Sequence, residues 1–260
     1  MSSFIDKMRA WNAKRVIRRR IAKRPVSTPH GFVMKGPSYV TSEDWEQQEI
    51  RLFKKILLHT DKFINVGANV GLYVLLARKS GLPTIALEPV PETVQFLLEN
   101  LELNSLSDGV TVIPAAAGQH PGVVTIYGLG TTSSLVKNWG GNPNSLAQKV
   151  PVVRLDDVIQ KPNQNEQILV LMDVEGYEYQ ALQGSLELMS AYPRPIWIIE
   201  LISGSTPEGK EGEANNVFRL FAEYGYRART ANDAMDPADR YIQGVNNYIF
   251  YSDEIEQALT

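Results

Sequence analysis

The chain has 260 residues, 43% of them hydrophobic and 21% charged, which suits one large soluble globular domain with a substantial core. It has no cysteine, which excludes disulfides, thiolate metal sites and cysteine nucleophiles, and no apolar run near the roughly 20 residues of a membrane-spanning helix. The net charge of −3 is uneven: residues 1–24 carry nine Lys and Arg against Asp6 alone, leaving 17 bases against 28 acids elsewhere.

That basic arm, "MSSFIDKMRAWNAKRVIRRRIAKR", suggests attraction to phosphates, of anionic lipid or of nucleic acid. As a helix it would place Phe4, Met8 and Trp11 on one face, with Ile5 at its edge, but Arg15, Arg18 and Arg19 continue the same face. A solvated arm and membrane-surface docking therefore both stay open. No specific nucleic-acid partner is expected. Without an apolar leader core, the expected location is the cytoplasm, peripheral to the inner membrane surface if the arm docks there.

A Pro/Gly-punctuated stretch, "RPVSTPHGFVMKGPSYV", reads as short strands or loops, and "SEDWEQQEIRLFKKILL" as a helix with Ser42 at its N-cap, acids first and lysines last. Residues 1–60 thus form an arm and lead-in, and residues 61–255 the main domain. From Lys62 strands and helices alternate: "KFINV", "VGLYVLLARKS", "TIALEP", "PETVQFLLENLELNSL" and "VTVIPAAAG". An insertion at about 121–158 breaks the rhythm with β-rich segments around "KNWGGNPNS". Alternation resumes with the strand "ILVLMDVEG", the helix "YEYQALQGSLELMS", the strand "PIWIIELI" and the helix "EANNVFRLFAEYGY", and closes with "YRART" and "NNYIFYS". The linker "SGSTPEGKEGEA" reads as a loop at the edge of a site or in solvent. Near-continuous apolar strands such as "ILVLM" predict a parallel sheet covered on both faces, hence a doubly wound, mostly parallel α/β fold with a β-hairpin insertion.

In such a sheet, ligands lie beyond the carboxyl ends of the strands. Gly67 follows the first strand and permits a sharp turn, and Gly71 opens the helix with no side chain to block a ligand. Backbone amides at the helix start would favour a carboxylate or phosphate. Glu88 ends the second strand 21 positions after Gly67, the spacing at which an acid accepts from both ribose hydroxyls of a nucleoside. Gly67-Ala68-Asn69-Val70-Gly71 lacks the middle glycine through which backbone approaches a pyrophosphate, so S-adenosylmethionine fits better than a dinucleotide. A plain structural turn and an NAD-type oxidoreductase are the alternatives.

The second constellation is "LMDVEGYE". Asp173 and Glu175 end an apolar strand and Glu178 follows in the next helix; they could orient a hydroxyl, remove its proton, hold a divalent cation such as Mg²⁺, or simply cap the helix. Glu200 ends the next strand, either completing an acidic rim or pairing with a base. His30, His59 and His120 are scattered and lack metal-ligand spacing. Ser133 and Ser134 either touch an acceptor or bond backbone in the hairpin, and Trp139 either stacks on a sugar or anchors its loop.

"FINVGANVGLY", "ALEPVPETVQFLLENLELN", "VIPAAAG", "SSL", "VVRLDDVI", "MDVEGYEYQALQGS" and "PIWIIE" together resemble the FkbM family of S-adenosylmethionine-dependent methyltransferases, over roughly residues 60–202. The resemblance implies a Rossmann-like class I sheet and O-methylation of a hydroxyl on a sugar, glycolipid, glycan or natural product. It places donor contacts on Asn65, Gly67, Ala68, Asn69, Gly71, Glu88, Ala116, Ala117 and Asp173. Catalysis is expected on Asp173, Glu175 and Glu200, and acceptor contacts on Ser133, Ser134 and Glu178. No metal ligand set is implied, and a divalent cation is allowed rather than required. Two positions depart from the family pattern: Asn65 stands where Asp is usual and Met172 where Lys is usual. These departures leave room for a non-catalytic donor-binding module.

Overall fold

The computed structural model describes residues 24–37, 42, 46–128, 133–136, 147–201, 210–232 and 234–256. The basic arm up to Lys23, Trp139 and residues 202–209 lie outside them. β1 (Val26–Ser27) and β2 (Val33–Met34) form an antiparallel hairpin ahead of the main sheet. The main sheet then takes β3 (Lys62–Val66), β4 (Thr84–Leu87) and β5 (Val110–Ile113). β6 (Ala116–Ala117), β7 (Gly122–Ile126) and β8 (Gln148–Val153) leave it as a separate small sheet. β9 (Ile168–Met172), β10 (Ile196–Glu200), β11 (Arg227–Thr230), β12 (Pro237–Ala238) and β13 (Asn247–Tyr251) complete it.

Its order is β12-β11-β13-β10-β9-β3-β4-β5. Strands β5, β4, β3, β9 and β10 run parallel, and β13 inserts antiparallel between β10 and β11. β3 pairs with β4 on one side and β9 on the other, so the strand order reverses there and a crevice opens above it.

Both faces of the sheet are covered, and the strands show it residue by residue. Leu169 and Leu171 enter one core with Phe63, Ile196 and Ile198, beneath the helices Gln47–Leu57, Leu72–Lys79 and Pro91–Leu103. Ile168, Val170 and Met172 enter the opposite core with Ile64, Val66 and Trp197, against the helices Glu178–Gln183 and Lys210–Glu223. A period of two with apolar residues on both sides is why these strands read as continuous apolar runs.

Four elements differ from the sequence reading, each for a local reason. The third strand stops at Ile113 because Pro114 has no amide to continue the ladder; Ala116–Ala117 then pair with β8 in the small sheet. The lead-in helix starts at Gln47, with Glu46 rather than Ser42 at its N-cap and in left-handed backbone at φ 45°. The helix after the acidic loop breaks at Gly184, where a Cβ would stand 2.1 Å from the Gly118 carbonyl oxygen; a second helix, Leu186–Met189, follows. The segment read as a loop to Ala214 is helical from Lys210.

Candidate active site

The glycine turn after β3 is built by its own amides. Gly67 and Ala68 donate to the Leu87 carbonyl at 2.9 and 2.8 Å, and Asn69 donates to Glu88 Oε2 at 2.9 Å. Val70 donates to Asn69 Oδ1 at 2.8 Å and Gly71 to the Ala68 carbonyl at 3.0 Å. Every backbone donor from Gly67 to Gly71 is engaged within the protein. That leaves this turn without the donors a pyrophosphate needs.

The two glycines do different work. A Cβ on Gly67, at φ +84°, would lie 1.8 Å from the Asp173 carbonyl oxygen, so this glycine lets the turn and the acidic loop touch. A Cβ on Gly71, at φ +95°, would lie 2.4 Å from Leu97 Cδ1. Gly71 therefore serves helix packing and left-handed backbone, and it does not line the crevice as expected.

Glu88 is buried at the tip of β4. Oε2 accepts from the Asn69 amide and Oε1 from the Val90 amide, each at 2.9 Å. Burial pushes its carboxyl up to about 7, against the opposing pull of those two amides. Each oxygen keeps a second lone pair, so the carboxylate still has acceptor capacity for incoming hydroxyls.

Two cavities flank the turn and share Gly67, Asn69, Asp173 and Glu175. The narrower holds Glu88, Val90, Ala116, Ala117, Ile126 and Ser133. The larger, about 360 Å³, has an apolar floor of Phe53, Leu171 and Ile198 under Asn65, Tyr73, Glu200 and Asn247, with Ala68 beside the turn. Glu46 and Glu49, from the start of the lead-in helix, also face it.

The larger cavity is strongly acidic. Burial raises the Asp173 carboxyl well above the usual range, helped by Glu200, Glu175 and Glu178. Glu200 is pushed up to about 7, chiefly by burial, and hydrogen-bonds Asp173. The question of a base beside Glu200 is thus answered: its partner is a second carboxyl, and the two titrate as a pair. Asp173 Oδ1 is buried without a hydrogen-bond partner among the described residues. Glu46 is raised by burial, and it accepts from the Tyr73 hydroxyl at 2.5 Å.

Ser134 and Glu178 are corrected. Ser134 is buried; its hydroxyl donates to the Glu175 carbonyl at 2.6 Å and accepts from the Val136 amide at 3.0 Å, tying the insertion to the acidic loop. Glu178 accepts from the Gly176 amide at 2.9 Å and faces a separate small pocket with Glu213. It braces a loop in which Glu175 is left-handed at φ 54° and Gly176 at φ 92°. Neither faces the two cavities, and neither does any of the three histidines. Among the described residues, no group of three or more His, Asp or Glu is arranged to hold a metal ion, and no helix is long and apolar enough to cross a membrane.

The sequence reading missed Glu46, Glu49, Tyr73 and Asn247. Asn247 could have been placed had the antiparallel register been known, since it pairs directly with Glu200.

A doubly wound sheet with a switch-point turn, an acid ending the second parallel strand and acids ending the fourth and fifth is a class I, Rossmann-like arrangement. Residues 65–228 match the model of the methyltransferase FkbM domain, and the chain belongs to that family. Among solved structures it is similar to a methyltransferase FkbM from Methylobacillus flagellatus KT, at 17% identity and a TM-score of 0.47, over 95% of this chain. This chain spans 60% of that protein's length. It is also similar to a SAM-dependent methyltransferase from Agrobacterium tumefaciens, at 12% identity and TM-score 0.48, covering 88% of this chain and 70% of the other. A SAM-dependent O-methyltransferase from Thermotoga maritima aligns at 11% identity and TM-score 0.44, covering 87% and 76%. None of the curated proteins matches the chain in sequence.

Proposed function

We propose that the chain is an S-adenosylmethionine-dependent O-methyltransferase acting on a hydroxyl of a sugar, glycan, glycolipid or natural product. The observation that carries this reading is the pair of cavities on either side of Gly67, Asn69, Asp173 and Glu175 at the strand tips, with Glu88 in one and the Asp173–Glu200 pair in the other. The residues suit the donor: Glu88 retains lone pairs for the ribose hydroxyls, Ala116 and Ala117 give a smooth wall for the base, and the unpartnered Asp173 Oδ1 suits the methionine ammonium. The engaged amides of the turn weigh against a dinucleotide.

When bound, the donor supplies an electrophilic methyl group. The protein's part is alignment and proton removal. Burial raises Asp173 well above the usual carboxylate range, while Glu200, at about 7, exchanges a proton near neutral pH, so Glu200 is the group that accepts the acceptor hydroxyl's proton. Glu175, held left-handed between Asp173 and Gly176, orients that hydroxyl. Peripheral docking of residues 1–24 on an anionic membrane would bring the enzyme to lipid-linked acceptors. The test is calorimetry with S-adenosylhomocysteine: wild type binds, and Glu88→Ala loses at least about tenfold in affinity. Unchanged affinity in the variant contradicts the reading.

A further inference from the structure

The larger cavity is apolar at its floor, and the strand register fixes how far that floor lies from the carboxyls. Leu171 and Ile198 pair across β9 and β10, and each stands two positions before a carboxyl, Asp173 or Glu200, on the same face of the sheet. The Asp173 amide donates to the Val66 carbonyl at 3.0 Å, so the ladder carries on through that residue. One strand repeat, about 6.6 Å, therefore separates floor from carboxyls. An aromatic ring with its hydroxyl spans much the same length. Leu169 and Ile196, one repeat deeper, are 0% exposed, whereas Leu171 and Ile198 keep 8% and 7%, so these two face open space. Leu52, Leu72 and Ala231 widen the apolar lining, and Phe53 and Tyr73 meet edge to face beside it at 4.9 Å. Among the described lining residues of the strands, the register puts one polar side chain, Asn65, at floor depth, beside Leu171. A cavity of about 150 Å³ lined by Leu, Ile and Phe admits benzene, so about 360 Å³ holds a ring and leaves room for the donor's methyl end. A sugar fits this floor badly. It carries a hydroxyl on most of its carbons, and each one pressed against leucine or isoleucine loses its water without a replacement.

We infer that the acceptor is a phenol, its ring seated on Leu171 and Ile198 and its hydroxyl directed at the Asp173–Glu200 pair. This inference rests on the donor-binding reading above and narrows the acceptor to an aryl hydroxyl. In the transfer, the phenolic oxygen forms the new C–O bond, and its proton passes to the Glu200 carboxylate. The electron pair of the broken C–S bond remains on the donor's sulfur, which becomes a neutral thioether. Proton affinity favours the same class. A phenol ionises near 10, as tyrosine does, whereas an aliphatic hydroxyl lies near water's roughly 15.7. Passing the proton to a carboxyl at about 7 is uphill by about three powers of ten for the phenol and about nine for the alcohol.

The test uses the full chain saturated with S-adenosylhomocysteine and titrated by calorimetry at pH 7.5. The probes are phenol and 2-naphthol, each against methyl glucoside. The aryl alcohols bind saturably and at least about tenfold more tightly than the glucoside. Leu52→Gln, on the lead-in helix, and Ile198→Thr, which keeps the branched shape on β10, each weaken phenol binding at least about threefold and leave the S-adenosylhomocysteine affinity unchanged. With labelled S-adenosylmethionine, phenol gives anisole, and benzyl alcohol, which has the same ring and an aliphatic hydroxyl, reacts at least about a hundredfold more slowly. Glucoside binding as tight as phenol's, no saturable binding of either aryl alcohol, no effect of either substitution, no anisole, or benzyl alcohol methylated as fast as phenol overturns the inference while the donor site stands. Failure of S-adenosylhomocysteine to bind wild type overturns the donor reading itself, and this inference with it.

Discussion

Glu88→Gln separates two roles that the structure gives one carboxyl. In the folded protein Glu88 holds its proton up to about pH 7, whereas in the unfolded chain it ionises near the ordinary 4.5. Between those values the folded state binds more protons, so its contribution to stability is full below about 4.5 and is lost as pH rises toward 7. At 1.36 kcal/mol per unit, that loss is about 3 kcal/mol. Glutamine cannot titrate. It keeps one acceptor for the Asn69 or Val90 amide and loses the other, a pH-independent offset of about 1–3 kcal/mol. Urea unfolding of both proteins from pH 4.5 to 7.5 should therefore show a wild-type stability falling more steeply than the variant's, the wild type's advantage shrinking by about 3 kcal/mol across the range. Asp173 and Glu200 tilt both curves in the same direction and cancel in the comparison. Parallel curves would refute the assignment of that slope to a buried, proton-holding Glu88.

Gly67→Ala should destabilise by more than about 3 kcal/mol in thermal melts, because left-handed strain adds to the 1.8 Å clash with the Asp173 carbonyl. Gly81→Ala, at the same φ of +84° but in open space, should cost only about 1–2 kcal/mol; equal losses would discount the clash. Glu200→Gln should remove the rising limb near pH 7 from the methyl-transfer rate profile, and an unmoved limb would assign that proton to another group. Ser134→Ala should cost about 1–2 kcal/mol in urea and speed hydrogen exchange at the Val136 amide, since it cuts the tie between the insertion and the acidic loop.

Much of the frame was legible because it depends on local chemistry. Alternating apolar runs, a glycine after β3, and acids ending β4, β9 and β10 follow from strand period and turn geometry alone. Pro114 carried a readable stop signal for the third strand. Other features depend on what the chain meets after folding. Nothing in the sequence shows that Leu87 and Glu88 receive three amides of the glycine turn, and the Ala68 carbonyl and Asn69 side chain the other two. Gly71 reads the same whether it makes room for a ligand or for Leu97. Glu46 and Glu49 look like ordinary acids at a helix start; only the packing of that helix over β3 and β9 turns them into a cavity wall. Ser134 and Glu178 sit beside the site in sequence, but backbone amides and carbonyls occupy them.

The most direct test is a crystal structure of the full chain with S-adenosylhomocysteine bound. The account predicts both ribose hydroxyls within hydrogen-bonding distance of the Glu88 carboxylate, with the homocysteine end lying over Gly67 toward Asp173. A ligand bound elsewhere, or a ribose that leaves Glu88 untouched, would contradict it.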